Sequence, residues 1–406
     1  MINLLHKTAF IALLATQSYV VHAQVDSTTY FQVQKVLAET RADHAPDKRT
    51  AILELADANV TANEYTIITS EAGIKEILRS ALAGFKGSYI IHTLPDTSVG
   101  AKQWGVVNLS VANLRTKPAH SAEMATQLLM GAVVDILQKD GGDFLVRTPE
   151  RYIAWVPTSS IVPMSEASLS KWKQKRIIYT DEFGKSYSQP DLKSVRVSDL
   201  VYGNVLSLVG EDRDFYKVSY PDQRTAYIPK KEATMFDDWL QSRQLTPENV
   251  LASAKSMLGL PYLWGGTSVK GVDCSGFTKT SYFMNGYVIP RDASQQVLHG
   301  EPVDILDAAG NFDPDKALKN LKPADLLFFA GGKQKQANPR VTHVALYMGN
   351  GTFIHAAGTV RINSMLKGAE NYDDFQTRTV VAARRYIGSN DPAIQKVEEN
   401  PYYKNN

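Results

Sequence analysis

The sequence predicts a multidomain chain: a helical N-terminal segment, two small all-β barrels in tandem, and a closing α+β domain with one cysteine. Three observations carry this. At 406 residues the chain exceeds what one ordinary core organises. Residues 105–235 turn from helical periodicity to short alternating strands broken by Gly, Asp and Pro, and that stretch contains a repeat. The only cysteine, Cys274, stands just before an apolar-faced run, Phe277–Met284, that reads as the start of a helix.

Taken in order, the chain opens with Lys7, the mostly apolar run Thr8–Val21, and small residues up to Ala23. This predicts a signal peptide over residues 1–23, hence an exported protein, periplasmic or extracellular, with no stable membrane insertion after cleavage. Thr16, Gln17 and Ser18 interrupt the run and argue against an anchor, and no cysteine lies nearby to take a lipid. Residues 24–100 are expected as helices, over Phe31–Arg41, Ala51–Ala58 and Ile74–Phe85, with no chemistry assigned.

The repeat defines the barrels, expected over residues 101–165 and 170–235. LLMGAVVDILQKDGGDFLVRTPERYIAWVP, Leu128 to Pro157, aligns with LVYGNVLSLVGEDRDFYKVSYPDQRTAYIP, Leu200 to Pro229. Gly131 matches Gly203, and Trp155-Val156-Pro157 matches Tyr227-Ile228-Pro229. Residues 236–246 read as a linker, 247–390 as the α+β domain and 391–406 as a frayed polar tail.

The bulk numbers exclude some functions. Hydrophobic content of 44% with 21% charged residues is that of a globular protein, and a net charge of +2 without a basic block gives nucleic acid no purchase. Exported proteins use cysteines in pairs, so an unpaired thiol there points to chemistry. At a helix N-terminus, free N–H groups and the dipole favour a thiolate. Gly265, Gly266 and Gly271 permit a tight approach loop.

Three histidines follow. His299 lacks a nameable partner and reads as structural. His343 and His355 lie in strand-like runs around the turn Gly349-Asn350-Gly351. An odd-length loop centred on Gly349 sets the imidazoles directly opposite each other on one face; a two-residue Asn350-Gly351 hairpin sets them on opposite faces. The first geometry is expected, because a same-face pair suits a relay in which one imidazole takes the thiol proton and the other orients it. Zinc on Cys274, His343 and His355 is the alternative, and no metal or other cofactor is expected. A cysteine on a helix with histidines on a sheet is the papain-like α+β arrangement.

PYLWGG, GVDCSGF, RDASQQ, LKPADLLFF and THVALYMGNGTFIHAAG, in that order over about 140 residues, resemble the signature blocks of the NlpC-type family of cell-wall cysteine peptidases. Asn113-Leu114-Arg115-Thr116-Lys117-Pro118 is similar to the N-x-R-x-x-P of bacterial SH3-type domains, making the barrels SH3-like, the second a degenerate copy. The domain order resembles the γ-D-glutamyl-L-diamino-acid endopeptidases. The resemblance implies Cys274 as nucleophile, His343 as base, His355 as orienting residue, and Tyr262 as oxyanion donor beside the Cys274 N–H.

It further implies that Trp264, Asp273 and Ser275 line the pocket, with Asp273 pairing a free α-amine, although Asp273 also reads as a helix N-cap. Glu123 and Tyr152 would reach in from the first barrel. Asp292 and Ser294 would form the far wall, Ala293 departing from the more common Ser. Residues 300–321 exceed the minimal family pattern and read as a surface insertion. The implied partner is a peptidoglycan-derived peptide, L-alanyl-γ-D-glutamyl-diamino acid. The alternatives are wall remodelling with the barrels as tethers, a non-catalytic adaptor, and an acyltransferase of the same fold.

Overall fold

The computed structural model describes residues 27–332, 339–373 and 378–404. The predicted signal peptide lies outside the described residues.

The N-terminal region is an α/β layer rather than a set of helices. Helices Thr28–His44 and Ile74–Leu82 pack on a sheet of Leu53–Asn59, Glu64–Thr69 and Ser88–Thr93. Val33, Leu37, Leu53, Tyr65, Ile67 and Leu78 fill its core. The helix expected over Ala51–Ala58 is therefore a strand, antiparallel to Glu64–Thr69. Its few apolar residues fit either period, and pairing with a neighbouring strand decided between them.

Two seven-stranded sheets follow, with one strand order. The first runs Ile161–Met164, Trp104–Val107, Val133–Asp140, Asp143–Arg147, Ile153–Pro157, Val111–Arg115, Met124–Leu129. The second, from Ala233–Met235 to Arg196–Val201, places its strands in the equivalent sequence. The matched glycines meet where the two modules abut. Gly131 has φ +82°, and a Cβ there would come within 2.1 Å of the Val205 carbonyl oxygen. Val205 N–H donates to Met130 O at 2.9 Å and Asn204 Nδ2 to Ser110 O at 2.8 Å.

Two segments expected to be loose are packed. The linker holds a helix, Phe236–Ser242, whose Phe236 and Trp239 are buried with Trp172, Tyr402 and Tyr403 in a core between domains. The tail is a strap. Gln395–Lys396 pairs with Tyr287–Val288, Tyr402 Oη donates to Asp135 at 2.8 Å, and the Pro401 and Tyr403 carbonyls accept from Lys173 and Arg176. Three apolar side chains, Val397, Tyr402 and Tyr403, anchor a tail whose average composition hides them.

In the last domain an antiparallel sheet runs Glu301–Pro302, Arg378–Arg385, Leu326–Gly331, Val341–Gly349, Thr352–Ala357, Thr359–Ser364. One face packs on helices Pro247–Ser256 and Cys274–Phe283 through Phe277, Phe328, Val344 and Ile354. The other carries Phe329, Tyr347 and Phe353. Residues 300–321 cover that second face, with Ile305, Ala317 and Leu321 buried against it, so they are core-forming rather than a surface insertion.

Candidate active site

The hairpin that carries the histidines combines features of both expected geometries. The turn is the two-residue Asn350-Gly351, with φ of +50° and +73°, values that suit the tight turns of paired strands. One extra residue at Met348 shifts the register between Tyr347↔Phe353 and Gly349↔Thr352, and a bulge of this kind reverses the facing of everything beyond it. The histidines thus share a face, as a relay needs, but they are diagonal neighbours rather than directly opposite. His343 Nε2 lies 2.9 Å from His355 Nδ1.

The protonation of this pair follows from its far end. Asn363 Nδ2 donates to the Asn371 carbonyl at 3.1 Å, which turns Asn363 Oδ1 toward His355 Nε2, 3.1 Å away. An amide oxygen only accepts, so His355 Nε2 carries a proton and its Nδ1 is bare. His343 Nε2 then donates to that bare nitrogen, which leaves His343 Nδ1 unprotonated. Phe329 and Phe353 pack edge-on against the two rings at centroid distances of 5.3 and 5.1 Å. Burial in this setting drives the His343 pKa well below its ordinary range and lowers that of His355 to about 4. With His355 Nδ1 turned to His343 and Nε2 to Asn363, neither nitrogen of that ring remains for a metal, which removes the zinc alternative.

Cys274 is the first residue of its helix, and Asp273 is the N-cap. Its sulfur sits 4.0 Å from the Thr342 carbonyl, at the point where the strand register slips by one residue next to His343. The expected ionised thiol is corrected here. Burial, reinforced by the Asp273 carboxylate, pushes the Cys274 pKa up to about 12, although the Val344 and Ser275 N–H groups and Arg291 act the other way. Desolvation outweighs the helix N-terminus. Burial thus favours the neutral thiol and the neutral imidazole.

Asp273 is also more committed than the sequence suggested. It accepts from the Gly276 N–H at 2.7 Å, the Gly265 N–H at 3.0 Å, and Arg291 Nη1 and Nη2 at 3.1 and 2.7 Å. Four nitrogen donors fill its lone pairs, so the N-cap role stands and the pairing with a substrate amine does not. Ser275 Oγ is drawn into the same cluster, 3.0 Å from Arg291 Nη1. Two glycines make this packing possible. A Cβ on Gly276 would lie 1.9 Å from the Gly266 carbonyl oxygen, and one on Gly265 2.7 Å from that of Met124 in the first β-module.

A cleft of about 350 Å³ opens over the sulfur, lined by Cys274, Tyr262, Trp264, Ser275, Asp292 and Ser294 from this domain and by Glu123 and Tyr152 from the first module. Burial raises the Tyr262 phenol above its ordinary pKa, so it remains an O–H donor. Trp264 Nε1 donates to Glu123 Oε1 at 2.8 Å, and Tyr152 Oη donates to Asp292 Oδ2 at 3.2 Å. Arg291 Nε reaches Thr126 Oγ1 at 2.8 Å, tying the module to the N-cap of the cysteine helix. His299 pairs with Asp391 at 3.2 Å, away from the cleft.

Three residues of the site were not singled out in the sequence. Arg291 stood inside a quoted block beside Asp292, and nothing local pairs it with Asp273, 18 residues earlier. Asn363 reaches the site only through strand pairing. Arg49, from the N-terminal domain, lines the cleft with no local signal at all.

A cysteine opening a helix, with a two-imidazole relay on the adjoining sheet, defines a cysteine peptidase. The chain belongs to the NlpC/P60 family, which residues 259–382 match, and residues 114–161 match the bacterial dipeptidyl-peptidase Sh3 domain. It is 32% identical over 244 residues to a gamma-D-glutamyl-L-lysine dipeptidyl-peptidase of Bacillus cereus, covering 58% of this chain and 67% of that one. It is 29% identical over 278 residues to dipeptidyl-peptidase 6 of Lysinibacillus sphaericus, covering 64% and 91%. The crystal structure of an NlpC/P60 family protein from Bacillus cereus aligns with TM-score 0.56 and 26% identity, over 70% of this chain and 99% of that one. The adaptor alternative falls with this assignment.

Proposed function

We propose that the protein hydrolyses the γ-D-glutamyl–diamino-acid bond of short peptidoglycan stem peptides with a free N-terminal L-alanine, as an exported enzyme of cell-wall peptide recycling. The observation that carries this reading is the composite cleft: the first β-module delivers an acid, Glu123, and Tyr152, which donates to Asp292, to the groove over the sulfur. A groove walled in this way suits a short peptide whose ammonium lies near carboxylates.

In the reaction, His343 Nδ1 takes the Cys274 proton as the sulfur attacks the γ-carbonyl, so the thiolate forms during attack rather than before it. His355 accepts the His343 N–H and, held by Asn363, keeps the ring oriented. The developing oxyanion is met by the Cys274 N–H and the Tyr262 hydroxyl, and one such donor is worth about 3–4 kcal/mol. The proton on His343 then goes to the departing amine of the diamino acid. Water, activated by the same imidazole, releases L-alanyl-γ-D-glutamate from the sulfur. Of the two modules, we read the second as a further SH3-like barrel outside the reaction.

Mass spectrometry of digests of L-alanyl-γ-D-glutamyl-diamino-acid peptides, with and without an N-acyl group, tests this. Cleavage of the free-amine peptide alone is expected. Equal rates on the acylated peptide or on intact wall would replace recycling by wall remodelling, and transfer to an added amine would indicate an acyltransferase.

A further inference from the structure

The N-terminal domain puts a cation of its own into the cleft. Arg49 Nη1 donates to Asp292 Oδ2 at 2.7 Å and to Ser294 Oγ at 2.9 Å. The rest of its guanidinium is held from behind by Asp47, which accepts from Nε at 2.8 Å and from Nη2 at 2.7 Å. Asp47 is itself fixed by Gln295 Nε2 at 2.8 Å, and the Arg49 carbonyl accepts the Ile153 N–H at 2.6 Å, one residue from Tyr152. The turn is thus clamped to both domains that build the cleft.

Asp292 Oδ2 is filled, because it accepts from both Arg49 Nη1 and the Tyr152 hydroxyl. A substrate ammonium can reach that oxygen only by taking the place of Arg49 Nη1.

We propose that Arg49 is a specificity-determining residue, an internal stand-in for the substrate ammonium that the free amino terminus must displace from Asp292. This rests on the function proposed above. Displacement is feasible because Arg49 keeps its two-pronged contact with Asp47 and is never left as an unpaired charge. The Arg49 and Asp292 side chains retain 31% and 25% of their surface, so water can follow the exchange. A neutral or acylated terminus has no charge to offer Asp292 and leaves the guanidinium in place. The N-terminal domain thereby holds down the affinity for every peptide with a free amine and leaves a blocked terminus unaffected, so it moderates the preference for a free amine.

The test uses the full chain. In wild type and Arg49→Ala, KM and kcat are measured for a free-amine L-alanyl-γ-D-glutamyl-diamino-acid peptide and for its N-acetyl form, with circular dichroism to confirm folding. In a Cys274→Ala background, with and without Arg49→Ala, calorimetry measures Kd for L-alanyl-γ-D-glutamate. The partly exposed ion pair is worth up to about 1 kcal/mol, so Arg49→Ala should lower KM and Kd for the free-amine ligands by about threefold to fivefold, with kcat unchanged. Arg49→Lys, which keeps the charge but cannot span Asp47 and Asp292 together, should fall between wild type and Arg49→Ala. A KM or Kd that is unchanged or higher in a folded Arg49→Ala protein, while wild type still cleaves the free-amine peptide, overturns the inference alone. No cleavage or binding by either protein overturns the proposed function and this inference with it.

Discussion

The two β-modules share a strand order and differ in what they touch. The first contributes Glu123 and Tyr152 to the cleft and meets Arg291 through Thr126. The second contributes none of the residues that line the cleft, and turns Leu192 and Val195 outward, 53% and 74% exposed. The same scaffold thus serves as a wall of the site in one copy and a distant neighbour in the other. Placement against the catalytic domain separates the two, which is how one fold comes to carry different tasks.

The largest expected effect sets the scale for this comparison. Cys274→Ala should cut peptide hydrolysis by at least about 10⁴-fold in a stopped assay while leaving the melting of the chain cooperative. Residual activity within tenfold of wild type would remove the sulfur from the chemistry, and with it any reason to call the first module part of an active site. Arg291→Ala probes the seam between that module and the cysteine helix. It strands Asp273 in a buried site, a change that typically costs about 3–5 kcal/mol in a denaturant titration. A loss under 1 kcal/mol would mean the seam does not depend on this ion pair.

Lower pH should weaken the catalytic domain before the modules. The pKa of both relay histidines is depressed in the folded chain, so the unfolded state binds more protons below pH 6.5. Their contribution is full above about 6.5 and is lost as pH falls toward about 4, the His355 value. A melting temperature that does not change between pH 7 and 5 would contradict the buried, neutral pair. Smaller in effect, Glu123→Ala with Tyr152→Phe should raise KM for free-amine peptides about tenfold with little change in kcat. Unchanged kinetics would put the first module on the same footing as the second. Last, Leu192→Ser in the second module should leave kcat and KM alone; any loss of peptide cleavage would give that module a share in the site.

Much of the catalytic domain was legible because its constraints are local. A cysteine before an apolar helix, glycines that admit a close loop, and two histidines around a tight turn each show within a few residues. The same locality explains the misses. Ala51–Ala58 satisfies two periods, and only a partner strand chooses. Residues 391–406 average to polar, yet Val397, Tyr402 and Tyr403 dock between domains. The histidine register hinged on one bulged residue, Met348, which nothing in the hairpin sequence marks.

The sequence by itself determined which chemistry is available: one thiol at a helix start, a pair of imidazoles on one hairpin, and a repeated β-module ahead of them. Tertiary structure alone decided how those groups are charged and who their neighbours are. Arg49 and Asp292 stand 243 residues apart in the chain and 2.7 Å apart in the fold. Ionisation depends on how much water packing removes, and that is settled only when distant segments close over the same space.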